Sequence, residues 1–362
     1  MSIAQAFDFL IQWHLTERCN LRCKHCYQDN KKIEEMSLSE IAGTIETAAQ
    51  MVREWQETYD IQFLPSFNVT GGEPFLREDF FAILELMVAT GFEVYILSNG
   101  TLITREIARR AADLGVHGVQ ISLEGLERTH DLIRGPGSFA AAVAGIRDLL
   151  GAGVNVSLNT TLSQMNAGDF PDLAELAVSL GVPRLGFSRL VPSGRGLALL
   201  DQMLSTPQVK EIYGRISTLQ IDGLEITTGD PVASQMNLPS PAEDAGAIAL
   251  GGCAAGVSGL TLLPDGTVTP CRRLPLTIGN VRRDSLRELW ATSPVLEALR
   301  DRTRYQGGCG ACQRWAQCRG CRAIAYAYSQ AQGSPDFLAP DPQCFIDFDV
   351  CSGEGGDPKR SS

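Results

Sequence analysis

From Gln12 to Pro192 short apolar, β-rich runs alternate with longer stretches of helical periodicity. The runs are Ile11–Leu15, Phe67–Val69, Glu93–Leu97, Gly118–Leu123, Val154–Asn159 and Arg184–Leu190. Between them lie Ser37–Trp55, Glu78–Thr90, Thr104–Leu114, Phe139–Ala152 and Phe170–Leu180, several opened by a Ser, Thr or Asp suited to capping a helix. Strand–helix alternation of this kind predicts right-handed βαβ units in a parallel sheet. Six repeats are too few to close an eight-fold barrel, so the pattern predicts an α/β fold with a partial (βα)6 TIM-like barrel over residues 1–192. Its chemistry is expected at the C-terminal ends of the strands.

The character then changes twice. Residues 193–250 carry Ser193-Gly194-Arg195-Gly196 and several prolines, and read as a linker with a helix or two. From Gly251 the chain becomes cysteine-rich: eight of its eleven cysteines fall between Cys253 and Cys351, which marks a small domain over residues 251–351. Leu260–Leu263 and Thr267–Thr269 flank Pro264-Asp265-Gly266, a hairpin signal, and helices are expected at Ser285–Trp290 and Val295–Arg302. The polar tail, residues 352–362, is expected to be disordered.

Composition narrows the function. A net charge of −11 argues against a nucleic-acid partner, which demands a basic stripe, and against anionic membranes. No apolar run is long enough to span a bilayer, and Met1–Asp8 lacks the basic and apolar regions of a signal peptide. Eleven cysteines without an export signal point to metal ligation in a reducing, cytoplasmic setting rather than to disulfides.

Cys19, Cys23 and Cys26 stand at the spacing C-x3-C-x2-C directly after the first strand. Three thiolates so placed can wrap one face of a cubane iron–sulfur cluster and leave its fourth iron without a protein ligand. Zinc fits less well, because its sites want four closely spaced N or S ligands and His25 sits too tightly between two cysteines. An odd group of three cannot pair internally as disulfides.

The triplet and its surroundings resemble the radical SAM enzymes. That resemblance implies that the free iron chelates S-adenosylmethionine, whose reductive cleavage gives a 5′-deoxyadenosyl radical that takes hydrogen from substrate. Three further motifs, each at or after the end of an expected strand, fit it. Thr70-Gly71-Gly72-Glu73-Pro74 matches the motif that contacts the cofactor's amino group, which makes Gly71, Gly72 and Glu73 cofactor-binding candidates. Ser98 and Asn99 are expected to bond ribose hydroxyls; Ser122 and Arg134 are expected at the ribose and the carboxylate, a forked guanidinium being suited to the latter. His25 occupies the family's usual aromatic position near adenine. Asn159 and Leu185–Phe187 are further candidates, with strand-end or core packing as the alternative. Catalytic residues beyond these are not assigned.

The C-terminal cysteines resemble the SPASM extension of the same enzymes. Cys253, Gly266 and Cys271 are followed by Cys309, Cys312, Cys318 and Cys321, then by Cys344. Arg319-Gly320 separates Cys318 from Cys321, one residue fewer than the family's C-x3-C. The resemblance implies two auxiliary iron–sulfur clusters beside the catalytic 4Fe–4S cluster. Cys309, Cys312, Cys318 and Cys344 would hold the distal one, and Cys253, Cys271 and Cys321 the proximal one. The proximal cluster then has an open iron, a non-cysteine ligand, or Cys351 looping back.

These resemblances imply an oxidoreductase or maturase that oxidises or cross-links a peptide or protein, fed by an external electron donor of the flavodoxin or ferredoxin type. With only about a dozen residues before the first strand, a separate leader-peptide-binding protein is expected. The alternatives are modification of tetrapyrrole side chains and a non-enzymatic iron–sulfur electron carrier. Leu190–Gly196 resembles haem-type enzymes with short N-termini, whereas Arg272, where the sulfatase-maturing branch has an aspartate, argues against that branch.

Overall fold

The computed structural model describes residues 6–29, 32–236 and 251–346. Six parallel strands run in chain order: β1 (Ala6–His14), β2 (Gln62–Thr70), β3 (Glu93–Ser98), β4 (Gly118–Ser122), β5 (Val156–Leu162) and β6 (Arg184–Arg189). Helices α1 (Leu38–Tyr59), α2 (Phe80–Val88), α3 (Arg105–Asp113), α4 (Glu127–Arg134), α5 (Ser138–Gly151) and α6 (Phe170–Leu180) fill the crossovers. The six-unit open barrel expected from the alternation is therefore present. Ser37 opens α1 through a reciprocal capping box with Glu40, and Thr104 caps α3. Helix α4 was not among the expected elements. Its sequence, Glu-Arg-Thr-His-Asp-Leu-Ile-Arg, carries only two aliphatic residues and offers no apolar stripe to read.

Strand alternation separates two faces. Ile11, Trp13, Phe67, Val69, Ile96, Val119, Ile121, Val156 and Leu158 are buried in the core packed under the helices. The intervening positions are polar: Gln120 and Ser122 in β4, Asn159 and Thr161 in β5, and Ser188 in β6 line a cavity. A closed barrel fills its interior with branched apolar side chains. This one keeps a polar lumen, and so a place for a ligand.

The segment after β6 is more than a linker. Between residues 193 and 236 it forms α7 (Thr206–Thr218) and a strand, β7 (Glu225–Thr227), which adds in parallel to the free edge of β6. Three residues of Glu-Ile-Thr are too short to register as a strand without the neighbour that pairs with them. At the opposite edge β8 (Gly259–Leu262) pairs in parallel with β1, and the expected hairpin continues through β9 (Thr267–Thr269) to β10 (Gly279–Asn280). Gly259 permits this docking, since a Cβ there would strike the Leu10 carbonyl. One sheet of ten strands thus carries both cysteine regions. Beyond it lie α8 (Leu286–Thr292), α9 (Pro294–Arg300), α10 (Gly307–Ala311) and α11 (Arg322–Ala331). Cys351 and the tail fall outside the described residues, as do residues 237–250.

Candidate functional site

The cysteine loop leaves β1 and is held against the end of β2 by backbone bonds. Gly72 N–H donates to the Thr16 carbonyl (2.7 Å) and Glu73 N–H to that of Arg18 (2.8 Å). A Cβ on Gly71 would lie 2.6 Å from the Thr16 oxygen, and one on Gly72 would collide with the Arg18 carbonyl. The glycine pair is thus required by the passing loop itself. On its other side Gly194 packs on the Tyr27 carbonyl with φ of +54°, Gly196 N–H donates to Cys26 (3.0 Å), and Arg195 Nε donates to the Cys23 carbonyl (3.1 Å). Ser193–Gly196 therefore belongs to the site.

Cys19, Cys23 and Cys26 line one cavity of about 950 Å³, open to solvent, together with His25, Gly71, Gly72, Ser98, Asn99, Ser122 and Arg134. The Cys19 sulfur accepts from Leu21 N–H (3.4 Å) and that of Cys26 from Gln28 N–H (3.5 Å). Burial pushes the Cys19 thiol up to about 11 and raises Cys26, so ligation there releases protons. The donor set suits the group the sequence implies: three soft ligands on one loop, facing a space with polar walls.

Glu73 departs from expectation. It is fully buried and does not line the cavity. Its carboxylate accepts from Ser98 Oγ (2.9 Å), Asn99 N–H (2.9 Å) and Phe75 N–H (3.4 Å), which ties the β2 loop to the β3 loop. Burial pushes its pKa up to about 7 despite these donors. Ser98 and Asn99 do line the cavity, but their polar atoms are engaged. Ser98 Oγ also accepts from Gly100 N–H, while Asn99 Nδ2 donates to Asn20 (2.9 Å) and its Oδ1 accepts from Thr101. They shape the Cys19 loop, and Ser98 Oγ keeps one lone pair free to accept from a ligand.

Glu124, which the sequence did not single out, organises the opposite wall. It is 1% exposed and accepts from Arg134 Nε (3.0 Å) and Thr161 N–H (2.8 Å), with His25 Nε2 at 3.3 Å. Burial opposes its ionisation, but Arg134 and then His25 outweigh that and hold it well below the usual carboxylate range. Arg134 is thereby neutralised, with Nη1 left 3.9 Å from the Cys23 sulfur. His25 lines the cavity with its ring oriented by Glu124. Ser122 and Asn159 line the cavity, whereas Leu185 and Phe187 are core residues. The lining also includes Tyr27, Gln120, Thr161, Ser188, Arg272 and Arg273. The strand polar residues were legible as period-two alternation; the arginines come from another part of the chain and carry no local signal.

A second cavity, of about 280 Å³, is lined by Cys309, Cys312, Cys318 and Cys344. Gln235 Nε2 donates toward the sulfurs of Cys344 (3.3 Å) and Cys318 (3.6 Å), and Arg322 toward Cys309 (3.7 Å). Cys253, Cys271 and Cys321 lie elsewhere: Cys271 packs with Cys321 in one apolar cluster and with Cys253 in another. The shortened Cys318–Cys321 spacing is closed by two consecutive left-handed residues, Arg319 and Gly320, both at φ of +61°. Three carbonyls, of Ala316, Gly251 and Cys253, hold the Arg319 guanidinium in place. All ten described cysteines are free thiols, and among the described residues no three His, Cys, Asp or Glu converge on a single ion. No described helix is long and apolar enough to cross a membrane.

Residues 13–177 match the radical SAM superfamily, and residues 253–322 match SPASM, an iron–sulfur cluster-binding domain. The chain is 31% identical to the AdoMet-dependent heme synthase of Nitratidesulfovibrio vulgaris, over 92% of this chain and 91% of that protein. It is 32% identical to the mycofactocin maturase MftC of Mycobacterium ulcerans, over 92% of this chain and 87% of the relative. Streptococcus suis SuiB bound to its precursor peptide SuiA shares the fold, with a TM-score of 0.72 at 15% identity over 94% of this chain and 76% of that one.

Proposed function

The chain belongs to the radical SAM superfamily and carries its SPASM extension, and from that premise we propose that it oxidises or cross-links a peptide or protein. When bound, the four-iron cluster and S-adenosylmethionine supply the family's chemistry, reductive cleavage to a 5′-deoxyadenosyl radical that abstracts a substrate hydrogen. The chain's own residues provide the setting. Cys19, Cys23 and Cys26 hold the catalytic cluster; Gly71 and Gly72 let their loop close on β2, and Glu73 pins Ser98 and Asn99 behind it. Arg134, Ser122 and His25 face the cofactor, the first and last held by Glu124. Cys309, Cys312, Cys318 and Cys344 hold the distal auxiliary cluster, and Cys253, Cys271 and Cys321 the proximal one. Electrons come from a flavodoxin- or ferredoxin-type donor.

The lining of the cavity carries the choice of substrate. A flat macrocycle is gripped by broad apolar and aromatic faces. Among the described lining residues only His25, Tyr27, Leu97 and Val191 offer such surface, against Gln28, Gln120, Asn159, Thr161 and Ser188. Polar walls suit the backbone and side chains of a peptide. The tetrapyrrole reading has its own support in the heme synthase relative, aligned along 91% of its length. Anaerobic reconstitution, expected to give about twelve irons per chain, followed by S-adenosylmethionine and a reductant, decides between them. Deoxyadenosine should rise, and the product lose hydrogen, with a precursor peptide encoded beside this gene. A response to porphyrin alone would overturn the peptide reading.

A further inference from the structure

Four arginines line the main cavity, and among the described lining residues there is no aspartate or glutamate. In a chain of net charge −11 such a concentration of cations is not a by-product of composition. Two of the four are committed: Arg134 to Glu124, and Arg195 to the Cys23 carbonyl. Arg272 and Arg273 are different. They follow Cys271 in the C-terminal domain yet reach the cavity built by the barrel. Arg272 stands over the Tyr27 ring, 5.7 Å from its centroid, at a distance that leaves its donors available. Arg273 Nε is buried with no hydrogen-bond partner. A buried guanidinium donor without an acceptor is costly, and native proteins keep few of them.

We infer that Arg272 and Arg273 anchor a carboxylate of the substrate, so that the molecule entering this cavity is anionic at the end it inserts. The planar fork of arginine matches a carboxylate in two parallel bonds, and the sheltered site strengthens both. The anchor rests on the radical SAM reading of the cavity and adds to it the chemistry of the group bound. Because it sits on the C-terminal domain while the cysteine triplet sits on the barrel, it sets where along the substrate the reacting hydrogen falls. A chain-terminal or side-chain carboxylate of a peptide satisfies it, and so does a propionate.

The test uses reconstituted holoprotein with S-adenosylmethionine, titrated anaerobically by calorimetry with two matched pairs. One is an N-acetylated tripeptide as free acid and as C-terminal amide; the other is a propionate-bearing porphyrin and its propionamide. The free acid of one pair should bind at least about tenfold more tightly than its amide. Arg272→Gln should erase that ratio while iron content is retained, and the responding pair identifies the source of the carboxylate. A ratio seen only with porphyrin keeps the anchor and defeats the peptide proposal. Equal affinity within both pairs, or no binding, overturns the anchor, as does a ratio that survives in both Arg272→Gln and Arg273→Gln. An altered auxiliary-cluster paramagnetic signal in Arg273→Gln with the ratio intact would also overturn it, by making Arg273 the partner of that cluster.

Discussion

The two cysteine pockets differ in how they are closed. At the barrel, three thiols from one loop border a cavity of about 950 Å³ that opens to solvent. In the C-terminal domain, four thiols from segments reaching from Cys309 to Cys344 surround about 280 Å³, with Gln235 and Trp315 among the walls. Metal sites that only hold their metal are fully ligated and shut, whereas sites that do chemistry leave a position and a path for another molecule. The C-terminal pocket, with four thiols around the smaller space, resembles the first form, and the barrel pocket, with three thiols beside the larger one, the second. The lesson is that ligand count and cavity size, taken together, distinguish the two cysteine pockets.

The sharpest way to break this contrast is to remove each thiol set in turn. Replacing Cys19, Cys23 and Cys26 by alanine should take deoxyadenosine formation below detection and remove about four irons. Pairing Cys309→Ala with Cys312→Ala should instead lose the distal cluster while the barrel cluster's paramagnetic signal persists. Deoxyadenosine formation in the first variant would place the catalytic centre elsewhere.

Next in size is the joint that fastens the closed pocket to the barrel. Arg189, fully buried, donates to Asp230 (2.7 Å) and Asp341 (2.8 Å), and Asp341 in turn accepts from Cys321 N–H (2.7 Å). Arg189→Met leaves two buried carboxylates unpaired and should cost about 3–5 kcal/mol. The thermal midpoint should fall, and the C-terminal clusters should be lost before the barrel cluster. Equal loss from both pockets would show that the joint does not distinguish them.

The barrel pocket has a comparable but pH-dependent support in Glu73. Burial raises its pKa to about 7, above the ordinary value near 4.5. The native state then holds the proton more tightly than the unfolded chain, so this group's contribution is present below about pH 4.5 and is lost as pH rises through about 7. Wild type should therefore lose on the order of 3 kcal/mol relative to Glu73→Gln between pH 5 and pH 8. The midpoints of the two proteins at both pH values measure this, and a constant gap would show Glu73 ionised throughout. At the small end, Arg287→Ala breaks an exposed pair with Glu54 (2.7 Å) on α1 and should shift stability by no more than about 0.5 kcal/mol, with both pockets intact.

Much of this was written locally. Period-two and helical periodicities specified the parallel sheet because each strand buries one face under its own helices. The C-x3-C-x2-C spacing specified a thiol loop because those residues are neighbours in the chain and need only a turn to converge. Other features depended on partners that no window of sequence contains. Glu73 and Glu124 both follow barrel strands in similar motifs, yet burial raises the first and Arg134 and His25 lower the second, because both bond Glu124 directly while Arg134 acts on Glu73 only from a distance, last among its causes. The strand Glu225–Thr227 exists through β6, and Gly259 brings the C-terminal domain onto β1. That docking carries Arg272 and Arg273 into a cavity whose other walls lie far back in the chain. Local pattern determines which faces must be buried and which ligands stand side by side. The protonation of a buried carboxylate and the meeting of two domains depend on distances across the fold, and those only the tertiary structure decided.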